Sequence, residues 1–181
     1  MSHISKLRIL FHTVRHLKIV QVSARIILHI KKIIPYKTDW NQHIELSTQI
    51  LKFPDSIPFP ISNVGNSFEF MNLKKEFSDS IDWNYMGNGR LWAYNLNYFE
   101  FLDQKSITSE WGVKLIEQYI EQLYECKVGL EPYPLSLRSF NWIRFFVRHQ
   151  ISNSRFDSVL FKQLDLLTHK LEYHLLGNHL L

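Results

Sequence analysis

Ser136-Leu137-Arg138-Ser139-Phe140-Asn141-Trp142-Ile143-Arg144-Phe145-Phe146-Val147, followed after a short break by Phe156-Asp157-Ser158-Val159-Leu160-Phe161-Lys162-Gln163-Leu164-Asp165-Leu166-Leu167, decides the fold class. Apolar residues recur there in steps of three and four: Leu137, Phe140, Ile143 and Val147, then Phe156, Leu160, Leu164, Leu167, Leu171 and Leu175. A helix puts such positions on one face, whereas a strand would alternate them. Ser136 is expected to cap the first of these helices, after a break made by Gly129, Pro132 and Pro134. Gly177-Asn178 is expected to stop the second. One step upstream, Ser109 is expected to cap a helix whose core face is Val113, Ile116, Ile120 and Leu123. Helix following helix across short breaks predicts an all-α fold of stacked helical hairpins.

Further toward the N-terminus the pattern loosens. Leu91 to Leu102 reads as an aromatic-rich helix after the turn Gly87-Asn88-Gly89. Phe68 and Phe70 alternate around Glu69, which predicts a short β-hairpin near residues 67–78. Residues 35–66 read as a connector, interrupted by Pro35, Pro54, Pro58, Pro60 and Gly65. Before it, Leu7, Leu10, Val14 and Leu17, then Ile19, Val22, Ile26, Ile30 and Ile33, mark two amphipathic helices, the second ended by Pro35. The organisation expected is a helical arm over residues 1–34 and a larger body over residues 35–181.

Charge separates the same two parts. Residues 1–38 hold eight of the 21 Lys and Arg and no acid, which leaves 13 basic against 17 acidic residues, a net of −4, on the rest. Such an arm calls for an anionic neighbour: a membrane surface, a polyanion or an acidic patch, unless it is simply a solvated face. The single cysteine, Cys126, forbids an intramolecular disulfide. The early run Ile9-Leu10-Phe11 is cut by His12, far short of the ~7–15 apolar residues of an export signal. That reading points to a cytoplasmic chain and offers no membrane span. Metal-ligand spacings are also weak, because Glu172 and His174 stand two apart on a helix and His179 lies beyond its stop.

Three clusters carry a resemblance. Ile81-Asp82-Trp83-Asn84 precedes Leu91-Trp92-Ala93-Tyr94-Asn95-Leu96-Asn97-Tyr98-Phe99-Glu100. Next come Glu131-Pro132-Tyr133-Pro134-Leu135-Ser136-Leu137-Arg138 with Asn141-Trp142, and finally Leu171-Glu172-Tyr173-His174-Leu175-Leu176-Gly177-Asn178-His179-Leu180-Leu181. In this order they resemble the N-terminal helical domain of heparinase II/III-type polysaccharide lyases, and the resemblance spans most of the chain. It implies an incomplete α/α toroid, completed by further toroid and a β-sandwich portion beyond residue 181. Members of that family often act in the periplasm. They cleave uronic-acid-containing polysaccharides, such as heparan sulfate and other glycosaminoglycans, by β-elimination.

That chemistry dictates residue types. The proton at C5 is only weakly acidic, so a donor or positive charge must first neutralise the adjacent carboxylate. A Tyr or His then takes the proton, and a second donor protonates the departing oxygen. No metal or organic cofactor is needed. By resemblance Asn178 donates to the substrate carboxylate and His179 lies beside it. Read alone, Gly177 and Asn178 equally serve as caps of successive helices. Arg138, Asn141 and Trp142 share one helix face; an Arg clamp on a carboxylate and a Trp stacked on a sugar ring fit the implied substrate. An Arg bonded to a neighbouring loop and a Trp in the core fit the same spacing. Tyr94, Tyr98 and Tyr133 fall in the matched clusters and are expected to line the cleft. Family members often carry histidine where this chain has Asn97. The family's catalytic tyrosine and second histidine correspond to positions beyond residue 181, and the ending on Leu180-Leu181 is expected to be a truncation. Two other classes fit the same sequence: a non-catalytic glycan-binding or scaffolding module, and a peripheral membrane or polyanion-binding protein acting through its arm.

Overall fold

The structure is a computed structural model that describes residues 18–34, 36–40 and 58–171. The chain divides into two compact units, and the larger is Thr38–Lys170. Helix α1, Ile19–Ile33, belongs to the other. Its isoleucines Ile19, Ile26, Ile30 and Ile33 are all exposed. The earlier helix expected around Leu7 to Leu17 lies outside the described residues.

The larger unit opens with a small antiparallel sheet of three strands in chain order: β1 (Asn63–Val64), β2 (Ser67–Phe70) and β3 (Leu73–Glu76). Met71 and Asn72 both have positive φ, at 54° and 61°, the backbone of a tight two-residue hairpin turn that matches strand twist. Phe68 and Phe70 point inward from β2 while Ser67 and Glu69 point outward, so the alternation seen in sequence is the buried face of the sheet. The hairpin expected near residues 67–78 is therefore present, with one strand more than expected.

The rest is mostly helical: α2 (Arg90–Tyr98), α3 (Ser109–Glu121), α4 (Pro132–His149) and α5 (Ser154–Lys170), with 3₁₀ turns at Glu100–Asp103 and Leu123–Glu125. Where the helices begin and which way they face differ from expectation. The helix expected from Leu91 to Leu102 stops at Tyr98, because Phe99 turns left-handed (φ 60°) and drops its ring onto Trp83, stacked at 4.9 Å. Thr108, not Ser109, caps α3 by accepting from the Trp111 amide at 3.2 Å. Helix α4 starts at Pro132 rather than after Ser136. Proline is at home in the first turn, where its missing N–H has no intrahelical partner to lose.

The inward face of α4 is Leu135, Arg138, Asn141, Trp142, Phe145 and Phe146. The stripe Leu137, Phe140, Ile143 and Val147 lies on the other side, and Phe140 is 49% exposed. Burying Trp142 and Phe145 removes more ring surface from water than burying the rival stripe, so the larger rings win. Helix α5 is rotated in the same way. Phe156, Val159, Lys162, Gln163 and Leu166 face in, whereas Leu164 is exposed, because Gln163 is needed inside to meet Arg138. Helix α3 buries the expected Ile116 and Ile120, and adds Leu115 and Tyr119.

An aromatic core joins these elements. Tyr119 stands edge-on to Trp83 at 5.3 Å and to Trp142 at 5.9 Å, while Phe70 meets Trp92 at 5.2 Å. Such pairs each add about 0.5–1.5 kcal/mol beyond the area they bury. Phe146 stacks on Phe156 at 5.6 Å and closes the α4–α5 hairpin. The carboxylate of Asp103 accepts from both Arg144 and Arg148, one turn apart on α4, and ties the 3₁₀ turn to that helix.

Candidate functional site

Arg90, Tyr94 and Tyr98 are spaced by four along α2 and so share one side of it. The first turn of α4 brings Tyr133 to the same place: its ring meets that of Tyr98 edge-on at 5.6 Å, and Tyr98 lies 6.5 Å from Tyr94. Glu131, just before α4, fixes the outer end of the group. Arg90 Nε donates to Tyr94 Oη at 2.7 Å, and Arg90 Nη2 donates to Glu131 Oε1 at 2.9 Å. Tyr94 Oη donates to the same Glu131 oxygen at 2.8 Å. The result is a surface of three phenol rings, with Tyr133 half exposed, Tyr94 half-buried and Tyr98 nearly buried, edged by an exposed guanidinium.

Burial sets the ionisation of this group. The Tyr98 hydroxyl is pushed up to about 12, first by burial and then by nearby Tyr133 and Glu100. Tyr94 is raised by burial and by the Glu131 carboxylate. For Glu131 burial acts upward, but hydrogen bonds from Arg90 and Tyr94, with the Gly129 amide at 2.8 Å, outweigh it and hold the carboxyl below its usual range. Burial alone lifts Glu100. At neutral pH Tyr94 and Tyr98 are therefore protonated donors and ring surfaces. Held in that form, they lack the phenolate that could accept a proton.

Arg138, Asn141 and Trp142 lie beneath this surface. Arg138 is fully buried; its Nη1 donates to the carbonyls of Gly129 at 2.9 Å and Asn97 at 3.2 Å, and its Nε donates to Gln163 Oε1. The guanidinium lies 4.6 Å from the Tyr119 ring centre, and burial lowers its pKa. Asn141 Nδ2 donates to the Tyr98 carbonyl at 2.8 Å. Trp142 is enclosed in the core beside Phe99. A clamp on a sugar acid and a platform for a sugar ring both require access that these side chains lack. Their geometry is that of the loop-bonded arginine and core tryptophan also open on sequence grounds. They fix the main chain that carries the tyrosines.

Asn97 is buried as well, donating to the carbonyls of Trp83 at 3.0 Å and Ala93 at 2.9 Å. It lies so close to Gly129 (φ 83°) that a Cβ there would come within 2.4 Å of its Oδ1. Asn178 and His179 lie outside the described residues, as do Glu172 and His174. Among the described residues no group of three or more His, Cys, Asp or Glu is placed to hold a metal. Sequence reading missed Arg90, Glu100 and Glu131 as members of the site. The Arg90–Tyr94 spacing of four was a usable signal; Glu131 had none, since its contact with α2 spans some forty residues.

No protein-family model, no curated protein and no solved structure matches this chain.

Proposed function

We propose that the chain is the N-terminal portion of a lyase of the heparinase II/III type, acting on a uronic-acid-containing polysaccharide by β-elimination. In this reading its helices form part of an α/α toroid. One observation supports it above the others: Tyr94 and Tyr98 from one matched cluster and Tyr133 from another, far apart in sequence, meet on a single surface beside Arg90. Phenol rings give flat faces for pyranoses, protonated hydroxyls donate to sugar oxygens, and a guanidinium attracts carboxylate or sulfate. The raised pKa of Tyr94 and Tyr98 suits binding rather than proton abstraction. The base and acid then belong to other residues, with Asn178 as carboxylate donor and His179 beside it.

The test is binding and turnover with heparan sulfate and alginate oligosaccharides. The 181-residue chain should bind one of them without forming unsaturated product. Tyr133→Ala, at an exposed position, should weaken that binding roughly tenfold, about 1.4 kcal/mol, and leave the melting temperature unchanged. Absence of binding, or binding indifferent to Tyr133, would leave the tyrosine surface without this function. Turnover by the chain alone would overturn the assignment of the chemistry to other residues.

A second reading rests on α1. Its isoleucine stripe is exposed, and the surrounding sequence carries Lys18, Arg25, Lys31 and Lys32 without an acid. An apolar face in a stretch of basic sequence fits the surface of an anionic membrane. Among the described residues no helix is long and apolar enough to cross one.

A further inference from the structure

A groove of about 580 Å³ lies within the larger unit, away from the tyrosine surface, between the end of α3 with the 3₁₀ turn that follows and the first half of α5. That volume is in the ordinary range for small-molecule sites, roughly 300–1,000 Å³. Its floor is apolar, from Ile120, Leu123 and Val159, all buried. Two rings, Trp40 and the exposed Tyr124, stand on its wall. Lys162 is the feature that calls for a ligand. It is 4% exposed and lines the groove, yet it makes no hydrogen bond or ion pair with any described residue. Its stem is enclosed while its ammonium opens onto the groove, so an anion entering there meets a charge with no carboxylate paired to it among the described residues.

The rest of the lining says what charge is wanted. Ser154, Ser158 and Lys162 recur every fourth residue and so share one side of α5, which gives two hydroxyl donors in line with the ammonium. Arg155 adds a second cation at the mouth, and Glu121 stands across as the sole carboxylate of the lining, so the groove carries a net charge of +1. The first turn of α5 is already capped by Asn153, whose Oδ1 accepts from the Arg155 amide at 2.9 Å. The helix end is therefore not the attraction; the ammonium is.

We infer that this groove binds a small organic monoanion, a carboxylate carried on a ring, with its charge on Lys162 and its ring against Tyr124 and Trp40. The inference does not depend on the lyase reading and concerns different residues, so each fails separately.

The experiment is a two-dimensional amide NMR titration of the whole chain with glucuronate, acetate and glucose as probes. Glucuronate should produce saturable shifts confined to the amides around 120–124 and 154–162. Acetate, lacking the ring, and glucose, lacking the charge, should each bind at least tenfold more weakly. Lys162→Met keeps the buried stem without the charge, and should weaken glucuronate at least tenfold while the protein melts as before or higher. Shifts from glucose equal to those from glucuronate would overturn the charge requirement, and equal affinity for acetate would overturn the ring requirement. If no saturable shift occurs in the groove, or if the Lys162→Met protein binds unchanged, there is no such site. Should Lys162→Met fail to fold, Arg155→Met and Tyr124→Ala, both at exposed positions, serve instead, and full glucuronate affinity in both would sink the inference.

Discussion

Tyr98 joins the chemistry of its surface to the stability of the fold. In an unfolded chain its hydroxyl ionises near ~10, and in the folded protein near about 12. The fold thus prefers the protonated form, and its contribution is complete below the unfolded pKa and lost as pH rises through the folded one. Stability should fall between roughly pH 10 and pH 12. Tyr98→Phe, which cannot ionise, should make the fall shallower without abolishing it, since buried Tyr119 is raised in the same direction. Thermal melts of both proteins across that range would check this, and an unchanged slope in Tyr98→Phe would mean that Tyr98 is not protected from ionisation. Tyr94, Tyr98 and Tyr133 stood out in the sequence only through the clusters they sit in. The sequence left the place of Arg138 open for a physical reason. A buried arginine is tolerable only where carbonyls converge, and those of Asn97 and Gly129 are brought together by the tertiary fold.

Among the elements, the presence of helices was legible and their rotation was not. Helix α4 carries apolar residues almost all round, so one periodic set, Leu137, Phe140, Ile143 and Val147, competes with another through Leu135, Trp142 and Phe145. Periodicity counts both alike, and only ring size and the partners on α2, α3 and α5 separate them. The rotation has a measurable consequence. Phe145→Ala should cost about 3–5 kcal/mol, as the loss of a fully enclosed ring does, whereas Phe140→Ala should cost under about 1 kcal/mol at its half-exposed position. Urea denaturation of the two variants decides it, and equal losses would mean that α4 is rotated toward the rival stripe. Gly112 gives the same orientation from the opposite side. A Cβ there would come within 2.2 Å of the Phe145 ring, so α3 has a small residue where that ring enters. The hairpin of β2 and β3 was legible because alternation about Glu69 leaves no rival face.

At the scale of the molecule, charge and hydrophobic pattern divide the chain into a basic segment and a mildly acidic body. Were the exposed isoleucines of α1 and its basic neighbours a surface for anionic lipid, the chain should bind vesicles containing phosphatidylserine, with about 1 kcal/mol from each Lys or Arg near the membrane. Raising salt should weaken that binding, and deleting residues 1–34 should abolish it, as vesicle sedimentation would reveal. Binding indifferent to salt or to the deletion would assign the arm a packing role. The charge asymmetry is readable because charge needs no tertiary information; the tyrosine surface and the groove, by contrast, assemble from segments whose proximity no local pattern encodes. One consequence reaches from the core to the cell. Arg138 fastens residues 97, 129 and 163, one from each of three separate stretches of chain. A substitution there lowers the folded fraction, and quality control then lowers the amount of protein. A screen scored by phenotype would rank Arg138 beside ligand-contacting residues, although what such a variant lacks is abundance.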